Sequence, residues 1–292
     1  MRVVPNRVLL AGLSVVFWLM LAAAVPCLGA ESQPPANQPQ EQQEPSLWMR
    51  LTGPAKLARL RGQVAEFTEQ GRYDAALPLA EQAVGLCEQL YGKNHPDYAV
   101  ALSWMAHVLS GMGDYAKAEP LYREALELTK KSLGEQHPAY ATSLNNLATL
   151  YHHLGEYAKA EPLYRQALEI RKKSLGEQHP DYATSLNNLA ALYHHMGDYA
   201  KAEPLYREAL ELRKKSLGEQ HPDYATSLNN LAECYCKMSE YSKAEPLYLQ
   251  AMQIFKKALG AEHPAYATSL NNLARLYHHL GEYAKEFGRE HV

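Results

Sequence analysis

The chain has 292 residues, with 29 Lys and Arg against 32 Asp and Glu and a formal net charge of −3. The two signs interleave along its length, so no basic stripe is offered to nucleic acid. Hydrophobic residues make up 47% of the chain, which is enough for a large core, while four cysteines do not make a disulfide framework.

In chain order, residues 1–30 come first and read as an export element. Arg2 and Arg7 precede an apolar run from Val8 to about Ala24, followed by Pro26 and Leu28-Gly29-Ala30. A basic start, an apolar centre and small residues before a cut make a secretory signal, with Ala30 the last residue removed. The rival reading is an uncleaved anchor, because Val8 to Ala30 approaches the ~20 residues that span a bilayer. A lipid anchor at Cys27 is disfavoured by Pro26, where such signals want a small residue. Either way the remainder is expected outside the cytoplasm: periplasmic or secreted, or held to the membrane by the N-terminal segment alone. Residues 31–46 (ESQPPANQPQEQQEPS) lack apolar periodicity and read as a disordered Pro/Gln-rich linker.

From residue 47 to 292 the chain is repetitive. A 42-residue unit runs from Pro138 to His179, and its neighbour, Pro180 to His221, differs at six mild positions. Looser copies span Pro96 to His137 and Pro222 to His263. A partial copy opens the array near Leu57, and a truncated sixth starts at Pro264. Such a chain is a stack of small units, not a globule around one core.

Each unit predicts two helices. In the first, from about Ala139 to His153, Tyr140, Leu144, Leu147, Ala148, Tyr151 and Leu154 form one stripe at gaps of three and four. Pro138 suits the first helical position and Gly155 a left-handed cap. The second helix, about Tyr157 to Ser174, carries Tyr157, Ala160, Leu163, Tyr164, Ala167 and Leu168. Arg171, Lys172 and Lys173 are placed in its last turns, against the negative end of the helix dipole. Alanines 148, 160 and 167 mark the closest helix approaches. In the sixth copy Glu286 replaces the expected alanine, so a short second helix is expected there, with an uncovered apolar side that a second molecule could cover.

The small residues at Ala148, Ala160 and Ala167, the Gly155-Glu156-Tyr157 turn and the large residues at Leu144, Leu147 and Tyr151 resemble the tetratricopeptide repeat (TPR). The longer unit, with its Y-A-T-S-L-N-N-L-A string and L-G-E-Q-H-P loop, is similar to the repeats of kinesin light chains. The resemblance covers about Leu57 to Lys285. It implies an all-α, right-handed α-solenoid of helix-turn-helix units. A propeller blade is disfavoured by the helical period, and a HEAT repeat by the turn.

Helical spacing puts Thr142, Asn145, Thr149, His152 and His153 opposite the packing stripe, on the side that lines the concave groove in the resembling family. Asn145, Asn187, Asn229 and Asn271 recur there. An Asn side chain can donate to and accept from one peptide unit, so the row could hold an extended protein or peptide segment. Their neighbours Asn146, Asn188, Asn230 and Asn272 read as ties from helix to loop. At the position of Thr149 the sister repeats carry His107, Ala191, Glu233 and Arg275, a variable place where Glu233 and Arg275 could set charge preference; drift at a solvated position is the alternative. His152, His194 and the histidines beside them suggest a pH-sensitive groove more than a metal site, since adjacent helical residues diverge and i,i+4 pairs are absent. The histidines before each Pro (His95, His137, His179, His221, His263) read as loop structure. Cys87, Cys234 and Cys236 are expected as free thiols.

No phosphate loop, nucleophile elbow or HExxH string is present, and no cofactor is called for. The expectation is a non-enzymatic interaction scaffold. The alternative is an oligomeric assembly factor at the cell envelope, working through the open C-terminal edge.

Overall fold

The computed structural model describes residues 45–287, with side chains described to Gly281. Five helix pairs run in order: α1 (Leu47–Glu69) with α2 (Tyr73–Tyr91), α3 (Pro96–Gly111) with α4 (Tyr115–Leu133), α5 (Pro138–His153) with α6 (Tyr157–Leu175), α7 (Pro180–His195) with α8 (Tyr199–Leu217), and α9 (Pro222–Lys237) with α10 (Tyr241–Leu259). A single helix, α11 (Pro264–Phe287), follows. No strand occurs among the described residues. The signal and most of the linker expected at the N-terminus lie outside them. Among the described residues, no helix is long and apolar enough to cross a membrane.

Local chemistry sets the boundaries. Before each first helix from α3 onward, a histidine caps the start: His137 Nδ1 accepts from the Ala139 N–H at 3.1 Å, and His95, His179, His221 and His263 repeat the bond. Pro at the next position gives up an N–H that had no helical partner. At the far end Gly155 adopts φ 74°, and the Glu156 N–H donates to the Tyr151 carbonyl at 2.8 Å. This bond closes the helix and turns the chain back, and the left-handed residue it requires is normally glycine. In the fifth pair that residue is Ser239, at φ 61°.

Packing then builds the stack. Ala148, Ala160, Ala167, Ala190, Ala202 and Ala209 are fully buried where helices meet, and Leu144, Leu150 and Tyr164 fill the spaces between. Each of α2, α4, α6 and α8 packs against the first helix of its own pair and of the next. The first helices also touch each other from pair to pair, whereas the second helices do not. The array therefore bends toward its first helices, which form the inner face of a right-handed α-solenoid. On its flank, the Tyr151 hydroxyl donates to Glu119 at 2.8 Å and accepts from Arg123 at 2.5 Å. Tyr193 with Glu161 and Arg165, and Tyr235 with Glu203 and Arg207, repeat this clamp between pairs. At Tyr277 only the Glu245 bond remains, because Leu249 stands where the arginine would be.

Four details differ from the sequence reading. Leu154 is 39% exposed, because it follows the last helical turn and points past the stack. Arg171 is 4% exposed rather than solvated at a helix end; its guanidinium donates to the Asp181 carbonyl, Ser185 Oγ and Thr142 Oγ1 at 3.2, 2.8 and 3.2 Å. Helix α1 begins ten residues before the partial copy, capped by Ser46, and leaves Leu47, Trp48 and Leu51 exposed. Helix α11 runs straight through Gly281 instead of turning back. The sequence has Glu286 where the earlier repeats have a small residue at the helix contact, so a turned-back helix would lack that close-packing position. Continuing the hydrogen-bond ladder is then preferred, despite the ~1 kcal/mol penalty of a mid-helix glycine.

Candidate functional site

The expected groove residues lie on α5, α7, α9 and α11, the inner-face helices. Their asparagines are largely engaged with each other. Asn188 Nδ2 donates to Asn145 Oδ1 and Asn230 Nδ2 to Asn187 Oδ1, each at 2.9 Å, and Asn229 Nδ2 donates to Ser269 Oγ at 3.1 Å. Asn188 and Asn230 thus tie their helices to the preceding repeat, not to a loop. A loop tie would need the side chain to reach back along its own helix, whereas the preceding first helix is within direct reach. Asn187 and Asn229 are each only 9% exposed, Asn145 is half-buried and Asn271 is exposed. Asn229 Oδ1 is buried with no partner.

The variable position is also tied down. Thr149 Oγ1 donates to the Asn145 carbonyl and lies 2.9 Å from the Tyr164 hydroxyl. Glu233 accepts from the Tyr248 hydroxyl at 3.1 Å and from Arg275, 42 residues on, at 3.1 Å. Glu233 and Arg275 therefore bridge two repeats and offset each other's charge.

The histidines form a row across repeats. His152 Nε2 lies 2.6 Å from His195 Nδ1, and the His152 ring meets Tyr157 and Tyr164 edge-on. Burial, then the neighbouring His195, pushes the His152 imidazole down to about 4. The same two causes lower His194, which sits edge-on to Tyr199. His152 is therefore neutral at pH 7 and titrates below the near-neutral range expected of it, and His194 is shifted in the same direction. Among the described residues no three His, Cys, Asp or Glu side chains are grouped to hold a metal ion. Cys87, Cys234 and Cys236 are free thiols, and burial raises Cys87 and Cys234 to about 11, which suppresses the reactive thiolate.

Two features were missed from the sequence. One is the buried pair Arg171 and Arg213, the second donating to the Asp223 carbonyl and Ser227 Oγ. The other is a cavity of about 360 Å³ on the inner face, where α1, α3 and α5 meet over α4. Comparing the repeats at one register exposes both: the equivalent residues are Cys87, Thr129, Arg171, Arg213 and Phe255.

Comparison with known proteins agrees with this architecture. Two tetratricopeptide repeat models match, one over residues 97–173, 144–215, 181–257 and 223–287 and the other over 67–97. The chain belongs to the tetratricopeptide repeat family. Among solved structures it is similar to BtubC (BKLC) from P. vanneervenii, at 26% identity over 74% of this chain and 93% of that one, with a TM-score of 0.55. It is similar to a putative kinesin light chain from Podosopora anserina with nearly identical TPR-like repeats, at 25% identity over 70% and 98%, TM-score 0.55. A thermophilic TPR protein of Thermus thermophilus matches at 22% identity over 73% and 98% with a TM-score of 0.53, a likeness of fold alone. The repeats are thus of the kinesin-light-chain-like TPR kind. This fold supports a protein–protein interaction scaffold.

Proposed function

We propose that the chain is a non-catalytic scaffold outside the cytoplasm that holds an extended peptide or partner segment along the inner face of the solenoid. The observation that carries the reading is the curvature: the first helices lean together and set Asn145, Asn187, Asn229 and Asn271 at one register of successive repeats, with Asn271 exposed, Asn145 half-buried and the middle two reaching the surface only at their edges. A stack of this kind offers a long concave surface and no catalytic constellation. Export rests on the basic, apolar and small-residue succession of residues 1–30, with anchoring by that segment as the alternative.

The test is crosslinking capture from the host's envelope fraction with the parent chain and with a variant carrying Ala at Asn145, Asn187, Asn229 and Asn271. Asn145, Asn187 and Asn229 also make inter-repeat bonds, so the variant must keep its helical content at the assay temperature. A partner captured by the parent and lost by the folded variant supports groove binding; identical captures overturn it. A second reading, self-assembly through the C-terminal edge, is favoured by α11, which among the described residues packs on α10 but is followed by no second helix of its own, and which exposes Leu270 and Tyr277. A strictly monomeric mass at high concentration would remove it.

A further inference from the structure

The near-identity of the repeats makes each a control for the others, and the lining of the inner-face cavity at the second junction differs in chemistry from its sisters. In the third and fourth pairs the space between successive first helices is closed from below by Arg171 and Arg213, whereas in the fifth Phe255 lines a cavity of about 300 Å³ at the same register, walled by Asn229, Asn230, Asn272 and the Glu233 carboxylate. In the second pair the residue is Thr129, whose hydroxyl lies only 3.0 Å from Ser143 Oγ, the counterpart of Ser185 and Ser227. The side chain stops where its sisters continue, and the 360 Å³ cavity occupies the difference.

The inner wall departs too. Ser103 and Trp104 stand where the later repeats have an Asn-Asn pair. Asn188 and Asn230 each donate to an asparagine one repeat earlier; the residue Asn146 would meet is Ser103, and among the described residues Asn146 has no counterpart of that bond. Trp104 forms a wall, with the Arg61 guanidinium 4.3 Å from its ring centre. Val64, Val100 and Tyr122 add apolar surface, and no carboxylate lines the cavity.

We propose that this cavity is an anchor pocket for one large apolar side chain carried by the bound segment, with the Asn146 amide free to pair with the segment's backbone beside it. The inference rests on the groove reading above and adds the place and chemistry of recognition. Three observations select the occupant. The volume lies at the lower end of the roughly 300–1,000 Å³ range of ligand pockets and has room for one large side chain. Its walls are mainly apolar and its one charge, Arg61, is stacked on Trp104. It opens on the inner face, where an extended segment would run.

The probe is N-acetyl-phenylalaninamide, titrated into the isotope-labelled protein as its host produces it and followed through the backbone amide resonances of residues 99–107 and 139–146. Saturable shifts confined to those residues are expected, with N-acetyl-alaninamide at least about tenfold weaker because it buries far less apolar surface. Thr129→Arg installs the residue that two sister repeats already carry and should abolish binding at unchanged melting temperature. Ala65→Phe, on the exposed rim of α1, should block the mouth without touching the core, and it serves if the first variant is unstable. Equal binding of both probes, shifts elsewhere, absence of saturation, or binding that survives in either folded variant overturns the proposal. Partner capture separates the two readings. Capture retained by Thr129→Arg but lost by the asparagine variant leaves the groove standing and removes the anchor pocket; capture retained by both removes both.

Discussion

Acid should loosen this array through His152, and the size of the effect can be worked out. The ring is packed edge-on to Tyr157 and Tyr164, with its Nε2 2.6 Å from His195 Nδ1. Its folded pKa of about 4 compares with about 6.5 in an unfolded chain. Between those values the unfolded chain binds a proton that the folded one refuses, so stability rises with pH across the window. The contribution is fully present above about pH 7 and is lost as pH falls from 6.5 toward 4. A shift of this size would be worth ~3 kcal/mol for an enclosed group. The ring is only about half enclosed, and solvent screening reduces the figure to roughly 1–2 kcal/mol. For a domain of this size that is a fall of several degrees in melting temperature. The assay is thermal unfolding at pH 7.5, 6.5, 5.5 and 5.0 for the parent, for His152→Gln and for His153→Gln, whose ring is exposed. His152→Gln should be flatter than the parent, with His153→Gln between them, because the adjacent His153 charge is the smallest of the causes that lower His152. Carboxylates such as Glu119, lowered mainly by the Tyr151 and Arg123 bonds, lose their contribution at lower pH and do so in all three proteins. Parallel slopes for the parent and His152→Gln would refute the argument.

Two further outcomes follow from packing and backbone geometry. Ala190→Leu puts a larger side chain where the alanine is fully buried in a central pair, and should cost about 1–3 kcal/mol in denaturant unfolding; an unchanged midpoint would show that the helices separate freely there. Ser239→Gly relieves a left-handed residue, a gain of roughly 1–2 kcal/mol, offset by about 0.5–1 kcal/mol of added chain entropy in the unfolded state. A net stabilisation of up to about 1 kcal/mol is expected, with Gly197→Ser showing the opposite sign, and two substitutions moving stability the same way would contradict the strain assignment.

Much of the fold was legible because its signals are local and repeated. The spacing of Leu144, Leu147 and Tyr151, the alanines at helix contacts and the glycine caps each report on a short stretch of chain, and all fell within a residue or two of the observed elements. The capping histidines were read as loop residues because histidine is not among the usual N-cap types, although their place before each Pro was the available sign. What stayed hidden depended on contacts about one repeat away. Nothing in the neighbourhood of Arg171 says that its guanidinium will turn inward to Ser185. Nothing around Asn188 says that it will bond Asn145 rather than a loop. In both cases two separately encoded helices must be stacked before the partner exists. The cavity is of the same kind, since it is defined by what Thr129 fails to reach.

The likeness of the repeats also limits what the asparagine row can do. A segment held only by Asn145, Asn187, Asn229 and Asn271 would meet nearly the same surface after sliding by one repeat. A regular ladder can supply affinity but cannot fix register, because specificity is a difference between binding energies and identical sites differ by nothing. Register has to come from places where the repeats are unlike. Along the inner face these are the cavity bounded by Trp104 and Thr129 near one end and the Glu233–Arg275 bridge near the other. The bridge pairs its two charges with each other among polar walls, whereas the cavity is mainly apolar, lacks a carboxylate and leaves Asn146 without the bond that Asn188 and Asn230 make. On the proposed reading, the bound segment is therefore positioned from the N-terminal end of the groove, and the repeats beyond it lengthen the contact without choosing the partner.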